Sequence, residues 1–479
     1  MPAPHNFRAA FVAAATALCL ATAAPAAAQD PDTLRLTLAD AVTRILRTSD
    51  ESRIADAQVE VADAQVLSAR AAGLPQLRLG TNYTQVLKNA RAEIVGAIFG
   101  QNYNYNTSLQ LQQSFFQGGR ILAASQAASR FEGAAVMSRD ETRALLAVDV
   151  QRAYLNALFT ARIAEIQLLN VRLADARLEQ TEQLERAGRS SRYEVLRARV
   201  ERANLEPIVR QAEADRTLAD LELRRLIDLP MDLPVALTTA LDGATVRALA
   251  ATAVRDERAP GVRPAVRAAE LTASARDAGV RVARADLLPT FNASFSYGFL
   301  ALPSSPGFPT VAGTRDNAFC APGAPATQRC QNNGWFPDRN FGIQMSWPLF
   351  DGLRAKGQID LAQAQAKVAD LQVRQLREAA AIDIARARAE LERARAVATA
   401  RETTVDEAEE AFELATLRFA RGVGTQLEVS DAQLALLNAR STDARAIFDL
   451  YLAVAELARV RAEPIPLPDG GVVSTRTAR

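Results

Sequence analysis

Slid along itself by about 234 residues, the sequence matches itself in short pieces that keep their order. LQLQQSFFQGGR (109–120) lies over IQMSWPLFDGLR (343–354), aligning Gln110 with Gln344, Phe116 with Phe350, Gly118 with Gly352 and Arg120 with Arg354. AGRSSRYEVLRAR (187–199) lies over RGVGTQLEVSDAQ (421–433), aligning Gly188 with Gly422 and Glu194-Val195 with Glu428-Val429. Any fold for this chain must therefore be built from one plan used twice.

In the first half, 36–73 reads as a helix with apolar spacing, and its counterpart runs over about 262–287 with a further helical piece before it. Leu74-Pro75 and Leu288-Pro289 end these helices, because proline lacks an amide donor and restricts the residue before it. Two strands follow in each half, at about 76–88 and 103–116, then 290–301 and 340–350, around loops 89–102 and 302–339. After Gly118-Gly119 and Gly352 come helices over 119–187 and 353–421, each extending roughly 100 Å at 1.5 Å per residue. Short turns at 188–191 and 422–425 lead into returning helices that reach about 228 and 461. Helices of that length need coiled-coil-like packing to bury their Ala/Leu faces. A solvent-exposed coiled-coil rod would meet the need, but it has no use for the strands.

Those strands alternate strictly. In YNYNTSLQLQ, Tyr103, Tyr105, Thr107, Leu109 and Leu111 share one face, and Asn104, Asn106, Ser108, Gln110 and Gln112 the other. The remaining strands repeat the contrast, with Leu77, Leu79, Tyr83, Phe291, Phe295, Tyr297, Phe341, Ile343, Met345, Trp347 and Leu349 opposed to amide and hydroxyl side chains. A soluble sandwich also gives period two, but about ten residues tilted by about 40° rise roughly 26 Å, the height of a membrane barrel's apolar band. Four strands cannot close a barrel, and an open edge in lipid leaves backbone groups unpaired. Two chains would close one whose lumen is filled by side chains; three, with 12 strands, leave room for water.

The near balance of 56 Lys and Arg against 55 Asp and Glu argues against a nucleic-acid partner. Residues 1–28 read as a cleavable export signal: Arg8, an apolar run from Ala9 to Leu20, and Ala26-Ala27-Ala28 before Gln29. Cys19 would suit a lipid anchor only with a small residue before it, and Leu18 stands there. Beyond the signal no run of about 20 apolar residues occurs, so membrane insertion has to use strands. Cys320 and Cys330 lie in a Pro/Gly/Asn-rich loop of an exported chain, so a local disulfide is the favoured reading and two free thiols the alternative. The only histidine, His5, is in the signal. With no imidazole, nucleotide loop or metal cluster, an enzyme is not expected, and neither is a cofactor.

In their order, LTLADAVTRIL, ARAAGLPQL, FFQGGR, ARADLLPTF, LFDGLR and RFARGVGTQLEVSDAQLALLNAR resemble the outer-membrane efflux protein family, the TolC-like exit ducts, over essentially the whole mature chain. The resemblance implies a mostly α fold with membrane β: a long α-helical barrel continuous with a transmembrane β-barrel shared by a trimer, four strands per chain, with internal structural duplication. The implied divisions are a signal peptide (1–28), a first repeat with an equatorial segment (29–260), a second repeat (261–461) and a C-terminal tail (462–479) that looks poorly ordered by composition. The implied function is a passive outer-membrane duct of a tripartite pump, exporting small toxic compounds with a periplasmic adaptor and an inner-membrane transporter. Type I protein secretion is the alternative, and a periplasmic coiled-coil structural protein a more distant one.

By the same resemblance, Glu428 and Asp431 match acids that ring the narrow end, Glu194 matches the acid after the first turn, and Phe419 stands where a gate tyrosine is usual. Gly424 stands where some members place a gate arginine, so this chain supplies neither hydroxyl nor guanidinium there. Carboxylates ringed about a narrow lumen would attract cations, whereas acids in the first turn of a helix also serve its dipole and cap. The turns, with Gly188, Arg189 and Ser190 in one and Gly422, Val423 and Gly424 in the other, are where adaptor hairpins would dock.

Overall fold

A computed structural model describes residues 34–88, 103–239, 242–255, 259–303, 307–309, 311–312, 334–468 and 470–473. Residues 1–28, expected from sequence to be an export signal and including Cys19, lie outside the described residues, as do the first loop and the Cys320–Cys330 segment. The chain opens with β1 (Leu34–Leu36), α1 (Leu38–Thr48) and α2 (Asp50–Ala71), followed by β2 (Gln76–Gln85) and β3 (Tyr103–Gln117). Next come α3 (Arg120–Arg186), α4 (Arg192–Leu226), β4 (Val235–Leu237) and α5 (Gly243–Arg255). The second half contains α6 (Pro264–Arg284), β5 (Thr290–Ala301), β6 (Val311–Ala312), β7 (Gly334–Ser346), α7 (Arg354–Ala420), α8 (Gln426–Val460), β8 (Ile465–Pro466) and β9 (Val472–Val473).

Three expectations need correction. The single helix over 36–73 is a short strand and two helices, because Ser49 leaves the helical region at ψ 141° and its hydroxyl caps α2 by accepting from Ser52 N. The last membrane strand starts at Gly334 and stops at Ser346, short of Pro348, which has no N–H for a ladder. The tail is structured in its described part, 462–468 and 470–473: β8 pairs with β9, and Ile465 and Leu467 are buried in the main core.

That core lies at the middle height of the molecule. It joins α1, the centre of α3 around Tyr154, the ends of α4 and α8, the centre of α7 around Leu391, and α5. Tyr154 is fully buried; its hydroxyl donates to Leu36 O at 2.8 Å and accepts from Thr239 N at 3.1 Å, fastening the parallel β1–β4 pair. An ion cluster centred on the shielded Glu141 adds a second fastening: Arg263 and Arg459 both reach Glu141, while Arg263 also reaches the partly exposed Asp383 at 2.9 Å and Arg459 the partly exposed Glu456 at 2.6 Å. The Glu456 carboxylate on Arg459 is the main reason that guanidinium titrates above its ordinary value. Four elements, α3, α6, α7 and α8, are thereby tied at one level.

Above this level α2 packs on α3, α3 on α6 and α6 on α7; below it α4 packs on α3, α3 on α8 and α8 on α7. The two 67-residue helices, α3 and α7, therefore run the full height while the shorter helices stack end to end beside them. The strands keep the same lateral order, β2–β3–β5–β7, all antiparallel. Each half turns from strand into helix through two left-handed residues, Gly118-Gly119 in the first and Gly352-Leu353 in the second. Gly118 has a further reason to be glycine, since a Cβ there would lie 2.7 Å from Ala285 O. Leu353, at φ +67°, occupies a region that costs an L side chain roughly 1 kcal/mol.

Candidate functional site

Cross-strand register sorts the sheet into two faces. One rung reads Leu77–Leu111–Phe295–Phe341 and another Leu79–Leu109–Tyr297–Arg339, with the Arg339 guanidinium over the Tyr297 ring. The alternate rungs read Arg78–Gln110–Ser296–Asn340 and Gln76–Gln112–Ser294–Gly342. Apolar rungs thus share one face and amide and hydroxyl rungs the other. Aromatic side chains bound the apolar band. Tyr83, Tyr105, Phe308 and Trp335 form a ring cluster at the end far from the helices, and Phe116 meets Phe291 at the near end. Such girdles are the mark of a strand barrel crossing a bilayer. Among the described residues no helix is long and apolar enough to cross a membrane.

The sheet ends in two open edges, β2 on one side and β7 beyond Trp335 on the other. The helices below have matching edges. Tyr193, Leu196, Val200 and Ala203 on α4, like Ile54, Ala57, Val61 and Ala64 on α2, repeat at steps of three and four and are all exposed. At the opposite edge, α7 exposes two runs at the same steps, Leu361, Ala364, Val368 and Leu371, then Ile382, Ala385 and Ala389. That spacing is a coiled-coil seam lacking its partner.

The tip lies at the far end of the two long hairpins. In the first, Gly188 N donates to Glu185 O and Arg189 N to Leu184 O; in the second, Gly422 N donates to Phe419 O and Val423 N to Arg418 O. The two turns are the same motif, with Gly188 and Gly422 at φ +71° and +76° closing the helices. Gly424 serves space instead: a Cβ there would stand 3.1 Å from Arg418 Cβ and from Phe419 N.

Glu194 accepts from the Ser190 hydroxyl, and its amide is capped by Ser191. Glu428 receives the equivalent cap from Thr425 and faces Arg418 at 3.7 Å. Asp431 is exposed one turn further along α8, on the same side as Glu428, and Phe419 is half-buried beneath the turn. The structure therefore brings Phe419, Gly422, Val423, Gly424, Glu428 and Asp431 to one hairpin end, and Gly188, Arg189, Ser190 and Glu194 to the other.

One group at the tip escaped the sequence reading. Arg177 of α3 donates to Ser430 and, at 3.0 Å, to Gln433 of α8, and Gln433 donates to the buried Asn170 at 2.6 Å. Burial pulls the Arg177 guanidinium below its ordinary pKa, opposed by Glu201 3.8 Å away. This polar network, with Gln426 donating to Thr181 nearer the turns, links the two hairpins near the tip. Its signal was available: Asn170 and Arg177 are seven residues apart, polar residues in core positions of a heptad.

A family model described as "Outer membrane efflux protein" matches residues 42–228 and 257–462, one copy for each half. The chain belongs to the outer membrane efflux protein family. It is an outer-membrane efflux channel of the TolC-like fold, and the family's members are non-enzymatic transport proteins that form trimers in tripartite pumps. A curated relative, the pyoverdine export outer membrane protein OpmQ of Pseudomonas putida, is 26% identical over 414 residues, covering 83% of this chain and 79% of its own. Among solved structures, VceC of Vibrio cholerae superposes with a TM-score of 0.68 at 22% identity, covering 88% of this channel and 95% of that one. The open-state MtrE channel of Neisseria gonorrhoeae superposes with a TM-score of 0.66 at 20% identity, covering 89% of each chain. The twofold match of the family model agrees with the duplication.

Proposed function

We propose that three copies of this chain close into one passive conduit, the β2–α2–α4 edge of each joining the β7–α7 edge of the next. The observation that carries this reading is the pair of unpaired edges, which follow the same lateral order through the strands and the helices. Twelve strands then leave a lumen walled by Asn, Gln and Ser, permissive rather than selective. Energy and cargo choice come from an inner-membrane transporter, reached through a periplasmic adaptor that seats on the turns at Gly188, Arg189 and Ser190 and at Gly422, Val423 and Gly424. The cargo proposed is small toxic compounds; that the relative OpmQ is named for pyoverdine export supports a compound over a protein.

At the narrow end, Glu428 and Asp431 form the acidic ring, with Glu194 and Phe419 beside it. Support comes from their shared side of α8 and from Asp431's exposure; Arg418 offsets part of the Glu428 charge. Glu428→Gln with Asp431→Asn should lower cation preference in a planar bilayer, read as a smaller reversal potential across a salt gradient. An unchanged reversal potential would remove these acids from the pore.

A further inference from the structure

We propose that Arg70, Arg130 and Arg281 form a seat for the phosphate of an anionic phospholipid just below the membrane band. The three side chains line a cleft of about 590 Å³ between α2, α3 and α6, together with the half-buried hydroxyls of Ser125, Ser129 and Ser274. No carboxylate pairs with any of the three arginines among the described residues, although Asp277 stands one turn before Arg281 on the same helix. Elsewhere on these helices arginine does find acid, as Arg267 and Arg377 find Glu270. Arg70 and Arg281 sit near the carboxyl ends of their helices, where the helix dipole alone would favour a cation. Arg130 has no such reason, lying ten residues inside α3.

What selects a lipid over a soluble anion is the neighbouring surface. Through Arg70 and Ser125 the cleft adjoins a depression lined by Phe115, Phe116, Ile121 and Leu122 at the strand-to-helix turn. Phe115 and Leu122 are 70% and 67% exposed there. A basic cleft opening onto an apolar hollow fits an amphiphile with an anionic head. Ser125 lies five residues and Arg130 ten residues past Arg120, roughly 8 and 15 Å along α3 from its first residue, so the cleft starts just under the strand-to-helix turn and its arginines reach up toward it. Guanidinium groups suit the ligand because each can meet two phosphate oxygens in one plane.

The test uses the full-length assembled protein in vesicles of phosphatidylcholine with or without phosphatidylglycerol, extracted in mild detergent and weighed by native mass spectrometry. The wild type is expected to retain one phosphatidylglycerol per chain in preference to phosphatidylcholine. Arg130→Gln should weaken retention about fivefold and the triple glutamine variant about 100-fold, the size expected for basic groups at a membrane surface. Arg276→Gln, on the opposite face of α6 over the Phe131 ring, should leave it unchanged. If the triple variant fails to assemble, the single Arg70→Gln, Arg130→Gln and Arg281→Gln proteins give the same reading. Equal retention of both lipids, or retention unmoved by the substitutions, would overturn the proposal. Displacement of the lipid by millimolar inorganic phosphate would also overturn it, marking a free-anion site instead.

Discussion

Adjacent residues of β5, Phe295 and Ser296, give the sharpest test of which face of the sheet meets lipid. Both lie midway between the girdles: β5 runs from Phe291 in the near aromatic pair to Ala301 beside Tyr105 in the far one, so its centre is near residue 296. Phe295 belongs to the rung with Leu111 and Phe341, Ser296 to the rung with Gln110 and Asn340. Arginine on the lipid face of a barrel at the bilayer midplane costs about 2–4 kcal/mol, so Phe295→Arg should destabilise a three-copy barrel by about 6–12 kcal/mol in total. Ser296→Arg places the same charge one residue away, in water and among amide groups able to accept its hydrogen bonds, and should change stability by less than about 1 kcal/mol. Urea titration of the barrel folded into vesicles measures both, and single-channel recording of Ser296→Arg should show weakened cation preference. Equal costs for the two substitutions, or a larger cost for Ser296→Arg, would refute the assignment of faces.

Three further outcomes follow from the periplasmic part. Tyr154→Phe keeps the ring and deletes the hydroxyl; Leu36 O retains Thr238 N as a donor, but Thr239 N loses its acceptor. The expected loss lies toward the lower end of about 1–3 kcal/mol, because Thr239 is half-buried, and a lowered Tm of the assembled protein would show it. The Glu270 carboxylate is held below the usual range first by Arg377 of α7 and then by Arg267. A depressed folded pKa stabilises above the ordinary glutamate value of about 4.3 and is lost as pH falls through the folded value, so Glu270→Gln should shrink the acid-side loss of stability by a small amount at this partly exposed site. Circular dichroism against pH checks this, and an unchanged acid limb would contradict it. Leu353→Gly should stabilise the second strand-to-helix turn by roughly 1 kcal/mol by relieving the left-handed backbone; a lower urea midpoint for folding into vesicles would contradict this.

Much of this architecture was legible in sequence because the dominant elements carry strong periodic signals. The helices expected over 119–187 and 353–421 are α3 and α7 to within a residue at each end, since a long stretch without proline leaves little else to form. The strand expected over 290–301 is β5, and the faces drawn from YNYNTSLQLQ are the faces its register shows. Short-range competition hid the rest. Nothing in the apolar spacing of 36–73 marks Ser49, whose break depends on one hydroxyl capping one amide. The β1–β4 pair joins residues about 200 apart and is fixed by Tyr154, a contact that local pattern does not encode. At the tip, the acids are visible as charges, whereas Arg177's hold on Ser430 and Gln433 arises only when two hairpins meet.

The mass of the particle extracted from the outer membrane tests the shared barrel most directly, by native mass spectrometry with detergent removed in the gas phase. Three copies of the chain, stable until the barrel is unfolded, are the expected result. A monomer or a dimer would leave the edges of β2 and β7 without partners in lipid and would contradict the conduit.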